Sequence, residues 1–481
     1  MYIGIDLGTS GVKAVLLDEQ QNILAIVQQS LAIARPQPLW SEQQPEDWWQ
    51  AVEEVMLQLA DTQDLSAVKA IGLTGQMHGA TLLDKADRVL RPAILWNDGR
   101  SDSECRELAQ MLPNAVEITG NLMMPGFTAP KLKWLAKHEP EIFAQIAKVL
   151  LPKDYLRLKM TGEYASDMSD ASGTMWLDVG KRDWNEDLLA ACGLTLNHMP
   201  KLFEGNQITG YLLKELADKW KMPSVPVVAG GGDNAAGAVG IGLHRAGQAM
   251  LSLGTSGVYL VVSDSFIANP QKAVHSFCHA LPARWHLMSV ILSAASAVDW
   301  VKNLTHTADV ATLFQEIEQS GVRSETIFLP YLSGERTPHN DAYAKGVFWG
   351  LGHNDNAATM AKAVVEGVSF ALADGIDVLH ETGLESESIA LIGGGAKSAY
   401  WRQLLADISG KTLEYRSGGD VGPALGAAKL AQIALHPHED MASFCQPLPL
   451  EAVYRPRESL SAFYAEKRAK YAALYQRLKG L

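Results

Sequence analysis

Four glycine-rich turns, each after an apolar, strand-like run, hold most of the residues with chemistry to offer. They are Asp6-Leu-Gly-Thr-Ser-Gly-Val-Lys13, Gly230-Gly-Gly-Asp-Asn234, Leu253-Gly-Thr-Ser-Gly257 and Gly393-Gly-Gly-Ala-Lys-Ser398. Glycines at strand ends let backbone N–H groups approach an anion, and a following helix N-terminus adds a favourable dipole. One such turn serves equally well to close a strand–helix connection. Four together, two of them copies, point to a polyphosphate. No GxxxxGK[ST] occurs, and no GxGxxG follows a strand with an acidic residue at the required distance. A P-loop and a dinucleotide dehydrogenase are therefore unsupported.

Two carboxylates stand out within these turns. Asp233 precedes Asn234 and a small-residue run, where it either caps a helix or accepts a proton beside a phosphate-type loop. Asp6 ends its strand, and its counterpart in the second copy is Ser252. A carboxylate that only stabilised the turn would be needed in both copies. The asymmetry predicts a charge required on one side of a cleft, as for Mg²⁺ held by one or two carboxylates plus phosphate oxygens. Thr9, Ser10, Gly254 and Thr255 are then the phosphate grips. Lys13 either reaches the phosphates or is a solvated strand lysine.

The elements that position these residues come from a self-comparison. LGTSGV occurs at 7–12 and again at 253–258, each time between apolar runs, so each copy reads as a β-hairpin with a Gly-Thr-Ser-Gly tip. Two similar domains follow, 1–243 and 244–481, the second opening near Ala246. Strands are expected at Val68–Leu73, Ala80–Asp84, Val225–Ala229 and Ile389–Ile392. Helices are expected at Glu46–Ala60, from a capping box at Ser101–Glu104 to Met111, along the Met360–Leu379 stripe, at Ser398–Ile408 and at Leu460–Lys479. Strands alternating with helices give an α/β fold.

Composition excludes whole classes. With 481 residues, 47% hydrophobic and 20% charged, the chain has material for more than one core. Its net charge of −13 opposes binding to a phosphate backbone, so no nucleic-acid partner is expected. Four dispersed cysteines fit a reducing compartment, and no apolar run suffices for a membrane span. The expected location is cytoplasmic.

At this point a resemblance carries further. Asp6-Leu-Gly-Thr, its copy at Leu253 and Gly393-Gly-Gly look like the ATPase clamp shared by actin, heat-shock chaperone ATPases and sugar kinases. More narrowly, the chain resembles the FGGY carbohydrate kinases, which include glycerol, gluconate, ribulose and xylulose kinases. Gly126-Phe-Thr-Ala-Pro-Lys131-Leu-Lys-Trp134-Leu-Ala-Lys-His138 fits their first signature. Gly346-Val-Phe-Trp-Gly350-Leu351, running to Glu366, fits the second, apart from Thr359. Gly75-Gln76-Met77-His78-Gly79 is most similar to the members that act on xylulose.

The resemblance implies two ribonuclease H-like, actin-like domains around a cleft, the first binding sugar and carrying the catalytic Asp233, the second binding nucleotide. ATP and Mg²⁺ are the implied cofactors, with Asp6 and Asp233 on the metal. It implies transfer of the γ-phosphoryl group to a small ketose, D-xylulose at carbon 5, with Asp233 as general base. Met77, His78, Asp233 and Asn234 would meet the sugar, His78 as a hydrogen-bond donor. Trp96 and Asp98 are further candidates, an indole for the sugar's C–H face and a carboxylate for its hydroxyls, although Trp96 reads equally as core. Lys131 and Trp134 match the signature yet read equally as fold support, and Gly394, Gly395 and Ala396 would pass beneath the adenosine. The alternatives are a kinase of ribulose, fuculose, gluconate or glycerol, and a chaperone-like conformational ATPase. A homodimer is left open.

Overall fold

The structure, a computed structural model, describes residues 1–321 and 325–481. Two sheets organise it. The first uses β1 (Tyr2–Leu7), β2 (Gly11–Leu17), β3 (Ile23–Ser30), β4 (Ala70–Gly75), β5 (Ile208–Tyr211) and β6 (Pro226–Gly232), in the order β5-β6-β4-β1-β2-β3. The second uses β7 (Ala249–Leu253), β8 (Gly257–Ser263), β9 (His275–Cys278), β10 (Trp285–Ile291), β11 (Ile389–Ile392), β12 (Leu413–Arg416) and β13 (Leu450–Tyr454). Its order is β9-β10-β8-β7-β11-β12-β13.

The duplication read from LGTSGV extends well beyond the hairpins. In the first sheet β1, β2 and β3 run antiparallel, β4 is parallel to β1, and β6 is parallel to β4. In the second, β7, β8 and β10 run antiparallel, β11 is parallel to β7, and β12 is parallel to β11. Five strands thus repeat with the same order and directions. Each set carries an antiparallel strand beyond its last parallel one, β5 and β13 respectively. The parallel strands end at the glycine-rich turns, which places candidate ligand sites at the strands' carboxyl ends.

Helix α1 (Pro45–Thr62) covers one face of the first sheet through Trp48, Val52, Val55, Met56 and Leu59. Short elements follow, among them α2 (Pro152–Thr161), α3 (Met168–Ser172) and α4 (Asp233–Gly240). In the second half, α5 (Ala295–Leu304) precedes α6 (Ala357–His380). Val364, Val368, Leu372 and Ile376 of α6 are at most 2% exposed, and burying each such side chain contributes roughly 1.5–3 kcal/mol. Thr359, the one departure from the second signature, closes a capping box with Asn356 at the start of α6. The box expected at Ser101 does not form: the Ser101 hydroxyl donates to Pro125 O instead.

Helix α7 (Gly422–Ala434) comes from the second half of the chain but lies on the first sheet. A Cβ at Gly4 would stand 1.9 Å from Ala424 O, and one at Gly72 1.9 Å from Ala427 O. Only glycine in both strands admits a helix backbone this close. The same helix crosses α4 backbone to backbone, with Gly426 against Ala236 O and Gly240 against Gly422 O. The halves therefore meet along a seam of small residues that runs directly behind Asp233.

Candidate active site

Asp233 opens α4 at the end of β6, held there by a turn with little freedom. Gly230 sits at φ +75°, and a Cβ on it would reach within 1.6 Å of Leu73 O. One carboxylate oxygen, Oδ1, accepts from Asn234 N at 2.7 Å and Asn234 Nδ2 at 3.0 Å. No hydrogen bond from the described residues claims Oδ2. Burial raises Asp233 to about 6, against the lowering effect of Asn234. Asn234 thus orients the carboxylate.

Asp6 pairs across the first hairpin with Lys13. Its Oδ1 is buried without a hydrogen-bond partner among the described residues. Burial, then the charge of Asp233, raises Asp6 to about 7, while Lys13 pulls the other way. Two raised carboxylates, one of them raised in part by the charge of the other, are oxygen donors that a hard cation would relieve. Among the described residues no group of three or more His, Cys, Asp and Glu could hold a metal ion.

The two hairpin tips offer different groups. Thr9 Oγ1 donates to Gln76 Oε1 at 3.1 Å and accepts from Trp96 Nε1 at 2.9 Å, and Thr9 O accepts from Gln43 Nε2 at 2.8 Å. Ser10 is exposed at the tip, its carbonyl taken by Leu31 N at 2.9 Å. In the second hairpin, Gly254 O and Thr255 O accept from Ala295 N and Ala294 N at the start of α5. The exposed Thr255 hydroxyl makes no protein hydrogen bond among the described residues. Gly394 is exposed with open space at its Cα, whereas Gly395 packs on Trp401 and Leu253. Ala396 is fully buried in the second core, so its side chain supports the turn and only backbone remains for a ligand.

Of the residues expected to meet a sugar, Met77 lies against Gly232, the residue before Asp233. His78 has φ +68°, and its Nδ1 is 2.7 Å from Gly173 O. Burial, then the charges of Lys131 and Arg336, lowers its pKa to about 3. The ring is neutral, Nδ1 must carry the proton it gives to the carbonyl, and Nε2 is left as an acceptor. The expectation of a donor is thereby corrected. Lys131, 1% exposed, donates to His78 O at 2.9 Å and Gly126 O at 2.8 Å, so the signature lysine holds the His78 loop in place.

Trp96 is 38% exposed with its indole N–H on Thr9, an open ring face rather than core. Asp98 is a second correction. Its side chain is 0% exposed and accepts from Ser41 N at 2.6 Å and from Arg100 N, Nε and Nη2. It braces the loop after Trp96 and has no surface to offer a hydroxyl.

Residues 1–240 match the N-terminal domain of the FGGY family of carbohydrate kinases, and residues 249–435 match its C-terminal domain. The chain belongs to this family. It is 61% identical over 479 residues to a xylulose kinase of Escherichia coli K12, covering 99% of each chain. It is 59% identical over 482 residues to a xylulose kinase of Klebsiella pneumoniae, covering 100% of each. Among solved structures, a xyloylose kinase from Brucella ovis superposes with a TM-score of 0.95 at 48% identity, 99% of each chain. A gluconate kinase from Lactobacillus acidophilus superposes with a TM-score of 0.94 at 26% identity over 99% of this chain and 98% of that one. The FGGY frame is thus shared by kinases named for different sugars, and side chains must choose among them.

Sequence reading missed the polar groups behind this FGGY site. Gln76 and Gln43 join Trp48 and the Thr9 turn in one buried network. Gln76 lay inside a motif already singled out, but its partner Gln43 is 33 residues away and carries no local signal.

Proposed function

We propose that this chain transfers the γ-phosphoryl group of ATP to the carbon-5 hydroxyl of D-xylulose, giving D-xylulose 5-phosphate and ADP. The sugar follows from the full-length identity to xylulose kinases, 61% and 59%. The observation that carries the mechanism is Asp233, with one oxygen fixed by Asn234 and the other unclaimed. Asp233 accepts the proton of the attacking hydroxyl at that oxygen. Asp6 and Asp233 would hold Mg²⁺, which would offset the phosphate charge when bound. Thr255, Gly254, Ser10 and Gly394 approach the phosphates and adenosine, while Thr9 supports them through Gln76 and Trp96. Met77, His78 and Asn234 orient the sugar, His78 by accepting a hydrogen bond from a hydroxyl at Nε2, and Trp96 gives the C–H face a surface.

In this reading residues 1–243 form the sugar-binding domain and 244–481 the nucleotide-binding domain, with α7 returning to the first. The enzyme is read as cytoplasmic. Its four cysteines are free thiols, and no helix among the described residues is long and apolar enough to cross a membrane.

A coupled ADP assay over a ketose panel tests this, with Asp233→Ala beside the parent. D-xylulose should give the highest kcat/KM, and the variant should lose ~10²–10⁴-fold in kcat with nucleotide binding kept. A better sugar in the panel would overturn the substrate. Retention of more than about a tenth of turnover, where a positioned base is worth at least ~10²-fold, would overturn the base.

A further inference from the structure

We propose that Ser169 is a positioning residue for phosphoryl transfer, and that α3, seated on a buried ion cluster, sets Asp233 and His78 relative to each other. The inference rests on Asp233 being the base.

Five charged side chains, Lys153, Asp154, Arg157, Asp167 and Asp170, are 0% exposed behind the Gly230–Asp233 turn. Lys153 Nζ lies 2.7 Å from Asp154 Oδ1, 2.7 Å from Asp167 Oδ1 and 3.0 Å from Asp170 Oδ2. Such a cluster is a poor stabiliser, because desolvating five charges costs about as much as their attraction returns. What it does is place hydrogen bonds. Arg157 donates to Val228 O at 2.6 Å and Ala229 O at 2.5 Å. Those carbonyls lie where β6 slips its register against β4, between Val228 and Gly231. The guanidinium fixes the bulge from which the catalytic turn departs.

The link to Asp233 runs through one hydroxyl. Asp167 Oδ2 caps α3, accepting from Ser169 N at 2.7 Å and Ser169 Oγ at 2.5 Å. With its proton given to Asp167, Ser169 Oγ accepts from Gly232 N at 3.0 Å. Gly232 is also closed in from the other side, where a Cβ would meet Met77 Cγ and Sδ at 2.9 Å. The residue before Asp233 is thus clamped between Ser169 and Met77. At the other end of α3, Gly173 O accepts the Nδ1 proton of His78 at 2.7 Å, and Ser172 Oγ accepts from Cys278 N of β9 at 3.0 Å. One five-residue helix holds the base at one end and the sugar-facing histidine at the other.

Lys153 variants risk unfolding, so the test is Ser169→Ala, which removes one hydroxyl and leaves Asp167 its backbone partners. A misplacement near 1 Å can cost ~10²-fold, so kcat should fall at least about tenfold. Both KM values should stay within about threefold, because the binding groups remain. A folded Ser169→Thr enzyme, melting within about 3 °C of the parent, keeps the hydroxyl and should recover most of the loss. A Ser169→Ala kcat within about twofold of the parent overturns the proposal, as does a loss carried by the KM values instead. A folded Ser169→Thr enzyme as slow as Ser169→Ala also overturns it. Asp233→Ala in the same assay separates the two readings. If that variant stays active the base assignment fails, and if it is inactive while Ser169→Ala is normal only the positioning role fails.

Discussion

The two LGTSGV hairpins have one sequence and two geometries. The first closes with Leu7 opposite Val12, four residues at its tip, and Asp6 opposite Lys13. The second closes one residue tighter, with Leu253 opposite Gly257 and Ser252 opposite Val258. In the first, the Thr hydroxyl is held by Gln76 and Trp96, and the turn's charge comes from the strand below it. In the second, two carbonyls cap α5 and the hydroxyl is left outward. Duplication supplied a matched pair of turns. Neighbours then divided the work, giving the first the charge and the second the neutral donors.

The largest expected effect comes from erasing that division. Asp6→Ser gives the first hairpin the residue of the second and removes one of the two raised carboxylates. Loss of a group that stabilises transition-state charge typically costs ~10²–10³-fold in kcat. The apparent Mg²⁺ requirement should rise with it, measured as activity against free Mg²⁺. An unchanged Mg²⁺ dependence would remove Asp6 from the metal site. The reciprocal Ser252→Asp should weaken nucleotide use by placing an anion near phosphates.

Next in size is a threonine comparison. Thr255→Val should raise the ATP KM about thirtyfold, within the about 1.5–3 kcal/mol of one hydrogen bond to a charged group, with little change for sugar. Thr9→Val should act mainly on the sugar KM, through Gln76 and Trp96. Equal effects on ATP from both variants would mean the tips are equivalent despite their different partners.

His78 gives a smaller effect with a pH signature. His78→Ala should raise the sugar KM about tenfold, the worth of one neutral hydrogen bond. Since its pKa is lowered to about 3, the ring stays neutral from pH 8 down to pH 5. The sugar KM should then show no histidine titration near 6.5 over that range. A KM that rises as pH falls through 6.5 would mean the ring takes up a proton near its ordinary value, and that burial does not hold it neutral.

How much was legible beforehand follows from the range over which residues act. The hairpins, the strand–helix alternation and the long α6 stripe are local patterns, and the observed elements match them to within a few residues. Strand Ile389–Ile392 matches end for end. Asp6 and Asp233 stood out as candidates because a repeat exposes a change of residue and a glycine turn exposes its neighbour. Asp98 misled because its type and loop suit a sugar, while its partners Ser41 and Arg100 are fixed only by the fold. Lys153, Asp154 and Arg157 lie on a helix whose burial no local pattern marks. Ser169 meets Gly232 across 63 residues, and nothing in either neighbourhood announces it.

The smallest expected effect concerns what stands behind each hairpin. Behind the first are the amides of Gln43 and Gln76, neutral at every pH. Behind the second is Glu335, 2% exposed, whose Oε1 accepts from Leu292 N at 2.9 Å just before the turn into α5. Among the described residues its Oε2 has no hydrogen-bond partner. Burial pushes Glu335 up to about 8, despite the N–H groups of Arg336 and Leu292 and the Arg336 charge. An acid whose pKa is higher folded than unfolded contributes stability that is complete below the unfolded value, near 4.3. That contribution is lost as pH rises through about 8. Glu335→Gln is neutral throughout and mimics the protonated acid. It should match the parent near pH 5 and melt higher than the parent near pH 9, by about 2–4 °C for each kcal/mol of linkage. The same substitution logic at Gln43, Gln43→Glu, should destabilise with the same sign, lowering the melting temperature more at pH 9 than at pH 5. A Glu335→Gln enzyme whose melting temperature tracks the parent at both pH values would show that Glu335 is ionised in the fold, and that a charge stands behind the second hairpin where neutral amides stand behind the first.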